Sequence, residues 1–90
     1  MKREIIPIPS FLVRDKHLSV GAKFTYVVLA YYINEDKTAN ELAAALGVGV
    51  DTFRKYRKEL EDNGWVIVSK QQNANGKFGS VKHELFIKEY

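Results

Sequence analysis

Residues Thr38–Gly64 run TANELAAALGVGVDTFRKYRKELEDNG. Thr38 followed three positions later by Glu41 is a capping box: the hydroxyl accepts from a first-turn N–H while the carboxylate reaches back to the cap. Leu42, Ala43 and Leu46 give the short helix that follows a buried face. Gly47 stands where this helix must stop and the chain must reverse, which calls for positive φ. Val48 plugs the turn into the core, and Gly49 takes the N-cap of a second helix. Phe53, Tyr56 and Leu60 recur at i, i+3 and i+7 and define the inner face of that helix. Arg54, Lys55 and Lys58 fall on its outer face, and with Arg57 they place four cations within five consecutive residues. Ala43 leaves room for two helices to cross steeply at close range. The stretch therefore reads as a helix-turn-helix with a basic second helix.

Outward from this motif, the chain has one order of elements. Residues 1–17 hold IIPIPSFLV, whose prolines at 7 and 9 exclude helix and favour an extended arm. Ser19 can cap a helix running to about Ile33, closed by the polar loop 34–37. Its apolar residues make two stripes: Ala22, Tyr26, Leu29 and Ile33 form one face, and Phe24, Val27, Val28, Tyr31 and Tyr32 broaden it well past an ordinary surface helix. Asn63-Gly64 ends the second helix of the motif. Beyond it, Trp65–Val68 and Val81–Ile87 read as strands, with apolar positions 81, 85 and 87 alternating. The Asn75-Gly76 turn signal lies between them. Arm, three helices and hairpin make an α+β winged helix, a single domain over 1–90 with the arm at 1–17, the helix-turn-helix at 38–63 and the wing at 65–88.

Ninety residues suffice for one modest core. An apolar content of 46% excludes a disordered chain. Without cysteine there is no disulfide framework and no thiolate metal site, which suits a reducing cytoplasm. The longest apolar run, Tyr26–Ile33, is too short to span a bilayer. Met1 leads straight into structured sequence, with no targeting segment in view. The net charge is +3, and its placement says more than its size. Between Trp65 and Lys82 the charged residues are Lys70, Lys77 and Lys82, with no acid, so the rest of the chain sums to zero. The basic surplus lies on the wing and at Arg54–Lys58, as a nucleic-acid partner requires.

At Leu18-Ser-Val-Gly-Ala-Lys23, Tyr26-Val-Val-Leu29 and the Leu42-to-Val48 turn, the chain resembles a particular winged-helix group. It is similar to the N-terminal DNA-binding domain of plasmid replication initiators and of phage replisome organisers from Gram-positive bacteria. The resemblance extends from Ile8 to Ile87 and implies duplex DNA binding, often as a dimer on repeated sites. Two departures stand out. Gly49 replaces the usual Ser or Thr cap, at a cost of a few tenths of a kcal/mol. The chain also stops at Tyr90, whereas such initiators usually carry a second domain, so it reads as a single-domain relative or an excised domain.

The expected function is sequence-specific binding of double-stranded DNA in replication initiation or transcriptional regulation. Val50, Asp51, Thr52, Arg54, Lys55 and Lys58 would serve in the major groove, and Lys70, Lys77 and Lys82 on the wing. Asp51 could accept from a cytosine amino group, but stabilising the helix N-terminus is the safer reading. A homodimer is expected through the arm and first helix, with Ile6, Ile8, Phe11, Phe24, Val28 and Tyr32 at its interface, because the apolar residues exceed what one small core absorbs. The competing reading is a protein-interaction winged helix, such as a phage adaptor or inhibitor, working through those same two elements. His17 and His83 stand apart from any acid or thiol at ligand spacing, so no metal is expected and both read as surface or partly packed residues. No catalytic constellation, cofactor site or small-molecule substrate site is recognisable, and no membrane association is expected.

Overall fold

Capping chemistry marks most helix boundaries between Ser19 and Gly64. The computed structural model describes residues 5–72 and 78–87, without the side chains of 70–72 and 78–82. Among these residues run α1 (Ser10–Arg14), α2 (Val20–Tyr31), α3 (Ala39–Leu46), α4 (Val50–Asp62), β1 (Val66–Gln72) and β2 (Phe78–Leu85). At the head of α2 the Ser19 hydroxyl accepts from the Ala22 N–H at 3.1 Å. At α3 the capping box is complete: Thr38 Oγ1 accepts from the Glu41 N–H at 3.1 Å, and Glu41 Oε1 accepts from the Thr38 N–H at 3.0 Å. Gly49 caps α4 without a side-chain bond.

Two helices end alike. Gly47 and Gly64 adopt φ of 84° and 76°, and the next residue folds back onto the helix it leaves. The Val48 N–H reaches Ala43 O at 3.0 Å, and the Trp65 N–H reaches Leu60 O at 2.8 Å. These bonds satisfy terminal carbonyls and turn the following apolar side chain inward. Val48 packs against the core, and Trp65 lies at its centre, 1% exposed.

That core unites Leu12, Leu18, Ala22, Tyr26, Leu29, Leu42, Ala43, Phe53, Leu60 and Val66 around Trp65. The Trp65 indole N–H donates to Asp15 Oδ2 at 2.9 Å, so burying the ring strands no donor. Among the described residues Thr25 is the buried polar one, and its hydroxyl donates to Gly21 O at 2.7 Å. α2 packs against both α3 and α4, while β1 lies on α4 and β2 on α2. The strands pair antiparallel, Val66 opposite Leu85 and Val68 opposite His83, with a register shift between Lys70 and Gln72. This is the α+β winged-helix layout.

The structure departs from the sequence reading in the arm, in α2 and in both strands, which run Val66–Gln72 and Phe78–Leu85 rather than Trp65–Val68 and Val81–Ile87. The arm is not wholly extended, because Ser10–Arg14 form α1. Pro9 is its N-cap, where the missing N–H costs nothing, and its carbonyl accepts from the Leu12 N–H at 3.1 Å. Leu12 is thereby driven into the core. α2 stops at Tyr31, two residues short of Ile33. Ile87 is exposed rather than inward-facing, because β2 ends at Leu85 and strand alternation ends with it. The Asn75-Gly76 turn lies outside the described residues.

Candidate nucleic-acid interface

α4 is held from behind, leaving its front free. Phe53 and Leu60 are fully buried, and Tyr56 packs against Gly21 of α2 so closely that a Cβ on Gly21 would overlap the phenol ring. A second clamp joins the head of α2 to the far half of α4. Glu59 Oε1 accepts from the Ser19 N–H at 3.0 Å, and Oε2 accepts from the Ser19 hydroxyl at 2.8 Å. The carboxylate also sits at the positive end of the α2 dipole. Together the two contacts fix how α4 crosses the core.

On the free side, Asp51, Arg54, Lys55 and Lys58 recur at i, i+3, i+4 and i+7, so they share one face, and all are exposed. Arg54 lies 3.8 Å from Asp51, and Lys58 lies 3.3 Å from Asp62. Exposed pairs of this kind contribute about 0.2–1 kcal/mol and yield readily to a stronger anion. Lys55 has no acidic partner among the described residues. Thr52 is exposed beside this face. Val50 is half-buried and packs against the core, which limits its side chain as a base contact. The acid at Asp51 suits the helix N-terminus, which favours negative charge.

The wing residues divide differently. Lys70 stands opposite Val81 and Lys82 opposite Ser69 in the ladder, but the side chains of both, and all of Lys77, lie outside the described residues. Arg57 of α4 and His83 of β2 lie near enough for the Arg57 charge to act on the imidazole, a relationship that no local sequence pattern reports. The Arg57 guanidinium lies 5.4 Å from the Phe53 ring centroid. Burial lowers its pKa, and the Glu61 charge acts in the opposite sense. His83 is pushed down to about 4 by burial and then by the Arg57 charge, so the ring is neutral at physiological pH. Arg57 lies four residues after Phe53, a spacing that could have drawn it toward the inner face. His83 shares the phase of Leu85, a signal that could have marked it as inward-facing. His17 is exposed.

The expected dimer residues also separate. Val28 is 7% exposed and belongs to the protomer's own core, so it has no surface to offer a partner. Ile8, Phe11 and Tyr32 pack against that core, and Ile6 is half-buried. Part of the apolar excess is absorbed because the arm folds back through Leu12. Of the six, Phe24 alone is fully in water's reach, at 54% exposure.

No protein-family model matches the chain, and no curated protein matches its sequence. Among solved structures, the chain is similar to a protein described as a possible transcriptional regulator from Methanosarcina mazei Go1. The two share 14% identity over 86% of this chain, with a TM-score of 0.63. This chain spans 64% of that protein's length. At such identity the likeness speaks for the fold. No helix among the described residues is long and apolar enough to cross a membrane.

Proposed function

We propose that this protein binds double-stranded DNA through the exposed face of α4, with the wing against the adjacent backbone. The observation that carries the reading is the sharing of one outward face by Arg54, Lys55 and Lys58, on a helix whose other face is locked into the core. Arg54, near the start of α4, is suited to base edges, and Lys55 and Lys58 to phosphates. The Methanosarcina protein's description and the resemblance to replication initiators both favour a role at a regulatory or replication site on DNA.

Fluorescence anisotropy with a labelled duplex tests this. With ~3–5 phosphates neutralised per protomer, log K should fall with log salt at a slope of about −3 to −4. Absence of binding at micromolar protein in low salt would refute the assignment.

A further inference from the structure

Among the described residues, three buried side-chain atoms lack a hydrogen-bond partner: Arg57 Nε, Arg57 Nη1 and His83 Nε2. All three belong to one pair, since Arg57 supplies the charge that acts on the His83 imidazole. A buried polar atom left unpaired is costly, so an orphan in a folded protein calls for an explanation. Here the orphans are complementary. A guanidinium can only donate, whereas a neutral imidazole accepts at whichever ring nitrogen lacks the proton. Burial and then the Arg57 charge keep His83 neutral at physiological pH.

Their placement in the fold gives the pairing a purpose. His83 stands opposite Val68 in the ladder, so the two share the face of the hairpin that packs on the core. Arg57 extends over the Phe53 ring on the inner side of α4, and α4 lies against β1. At its base the hairpin is held to α2, where the Tyr26 hydroxyl donates to Phe86 O at 3.1 Å. His83 lies three residues nearer the tip. The neighbouring groups that could compete for the imidazole are otherwise placed. Val68 is apolar, Tyr26 is engaged with Phe86, and Glu84 pairs with Ile67 on the opposite face of the hairpin. Glu61 and Arg54 act on Arg57.

We infer that Arg57 donates to Nε2 of a His83 ring protonated on Nδ1, and that this bond latches the wing to α4. The hydrogen bond made at one ring nitrogen fixes which nitrogen holds the proton. Arg57 is thereby a positioning residue, setting how the hairpin stands beside the basic face of α4. Protonating Nε2 turns the acceptor into a donor and sets two cations together, so acid opens the latch. Its consequence for DNA, a wing held at the right angle to the backbone, rests on the function proposed above; the latch itself does not.

Nitrogen-15 NMR of the His83 ring in the intact, DNA-free protein at neutral pH tests it. The wild type should carry the proton on Nδ1, with Nε2 unprotonated and hydrogen-bonded. Arg57→Met keeps an unbranched stem without donors, and should shift His83 toward the Nε2–H tautomer and speed amide exchange in the β1–β2 ladder at least tenfold. His83→Gln retains a side-chain acceptor and should exchange near the wild-type rate, whereas His83→Leu should match Arg57→Met. An Nε2–H tautomer in the wild type overturns the inference without any variant, and so decides the matter even if Arg57→Met fails to fold. A tautomer unmoved by Arg57→Met, or equal exchange in His83→Gln and His83→Leu, overturns it as well. None of these readings involves DNA, so their failure leaves the assignment of α4 standing, and duplex affinity reports on that assignment separately.

Discussion

Ser19 and Glu59, forty residues apart, are joined by two hydrogen bonds, from the Ser19 N–H at 3.0 Å and its hydroxyl at 2.8 Å. Ser19 thus caps its own helix and ties it to α4 in one contact. Bonds to a charged acceptor are worth about 1.5–3 kcal/mol each when sheltered, and less at an exposed site such as this. Glu59→Ala should destabilise the fold by about 1–2 kcal/mol, lowering Tm by roughly 4–16 °C for a domain of this size. Calorimetry on the purified variant measures the shift.

Gly21 and Tyr56 supply the companion contact. Gly21→Ala should destabilise by about 1–3 kcal/mol, since the new methyl enters space the phenol ring occupies. Tyr56→Leu in the same chain should recover most of the loss. A double-mutant cycle by urea unfolding reads the coupling, and additive costs would show that the ring swings aside freely.

The turn region makes two opposite predictions. Gly47→Ala should cost about 1 kcal/mol from backbone conformation alone, because φ is 84° and nothing lies within 4 Å of the added methyl. Gly49→Ser should stabilise by a few tenths of a kcal/mol, since Gly49 has ordinary extended geometry, open space and no side-chain cap. Paired urea titrations resolve the two signs.

These positions also show what a sequence makes legible. Thr38, Glu41, Gly47 and Gly64 act on neighbours within five residues, so their spacing announces them. The outward face of Arg54, Lys55 and Lys58 follows just as directly from the period of Phe53, Tyr56 and Leu60. Ser19–Glu59, Gly21–Tyr56 and Arg57–His83 join segments distant in the chain, and no local pattern reports them. Pro7 and Pro9 spoke correctly for the arm's start, but a proline at an N-cap permits a helix, and so α1 was hidden. Val28 and Phe24 both looked like surplus apolar surface until packing put one in the core and left the other outside.

His83 gives the fold a pH dependence of known sign. Its folded pKa of about 4 lies below the ordinary 6.5, so between those values the unfolded chain binds more protons. Stability from this residue is therefore complete above about pH 6.5 and declines as pH falls toward 4. His83→Leu should flatten the stability profile across that window in urea unfolding at stepped pH. An unchanged slope would show that the ring titrates alike in both states.

The most direct test of the account is the salt dependence of duplex binding for Arg54→Ala/Lys55→Ala/Lys58→Ala, beside Lys16→Ala/Lys37→Ala as a charge-loss control away from α4. Each phosphate contact removed should reduce the slope by about one unit. Losing the Lys55 and Lys58 contacts, the triple variant should therefore flatten the slope from about −3 or −4 to about −1 or −2, and weaken binding by at least ~100-fold at low salt. The control should bind within a few-fold of wild type. Equal losses in both variants, or a triple variant that keeps the wild-type slope, would contradict the placement of DNA on α4.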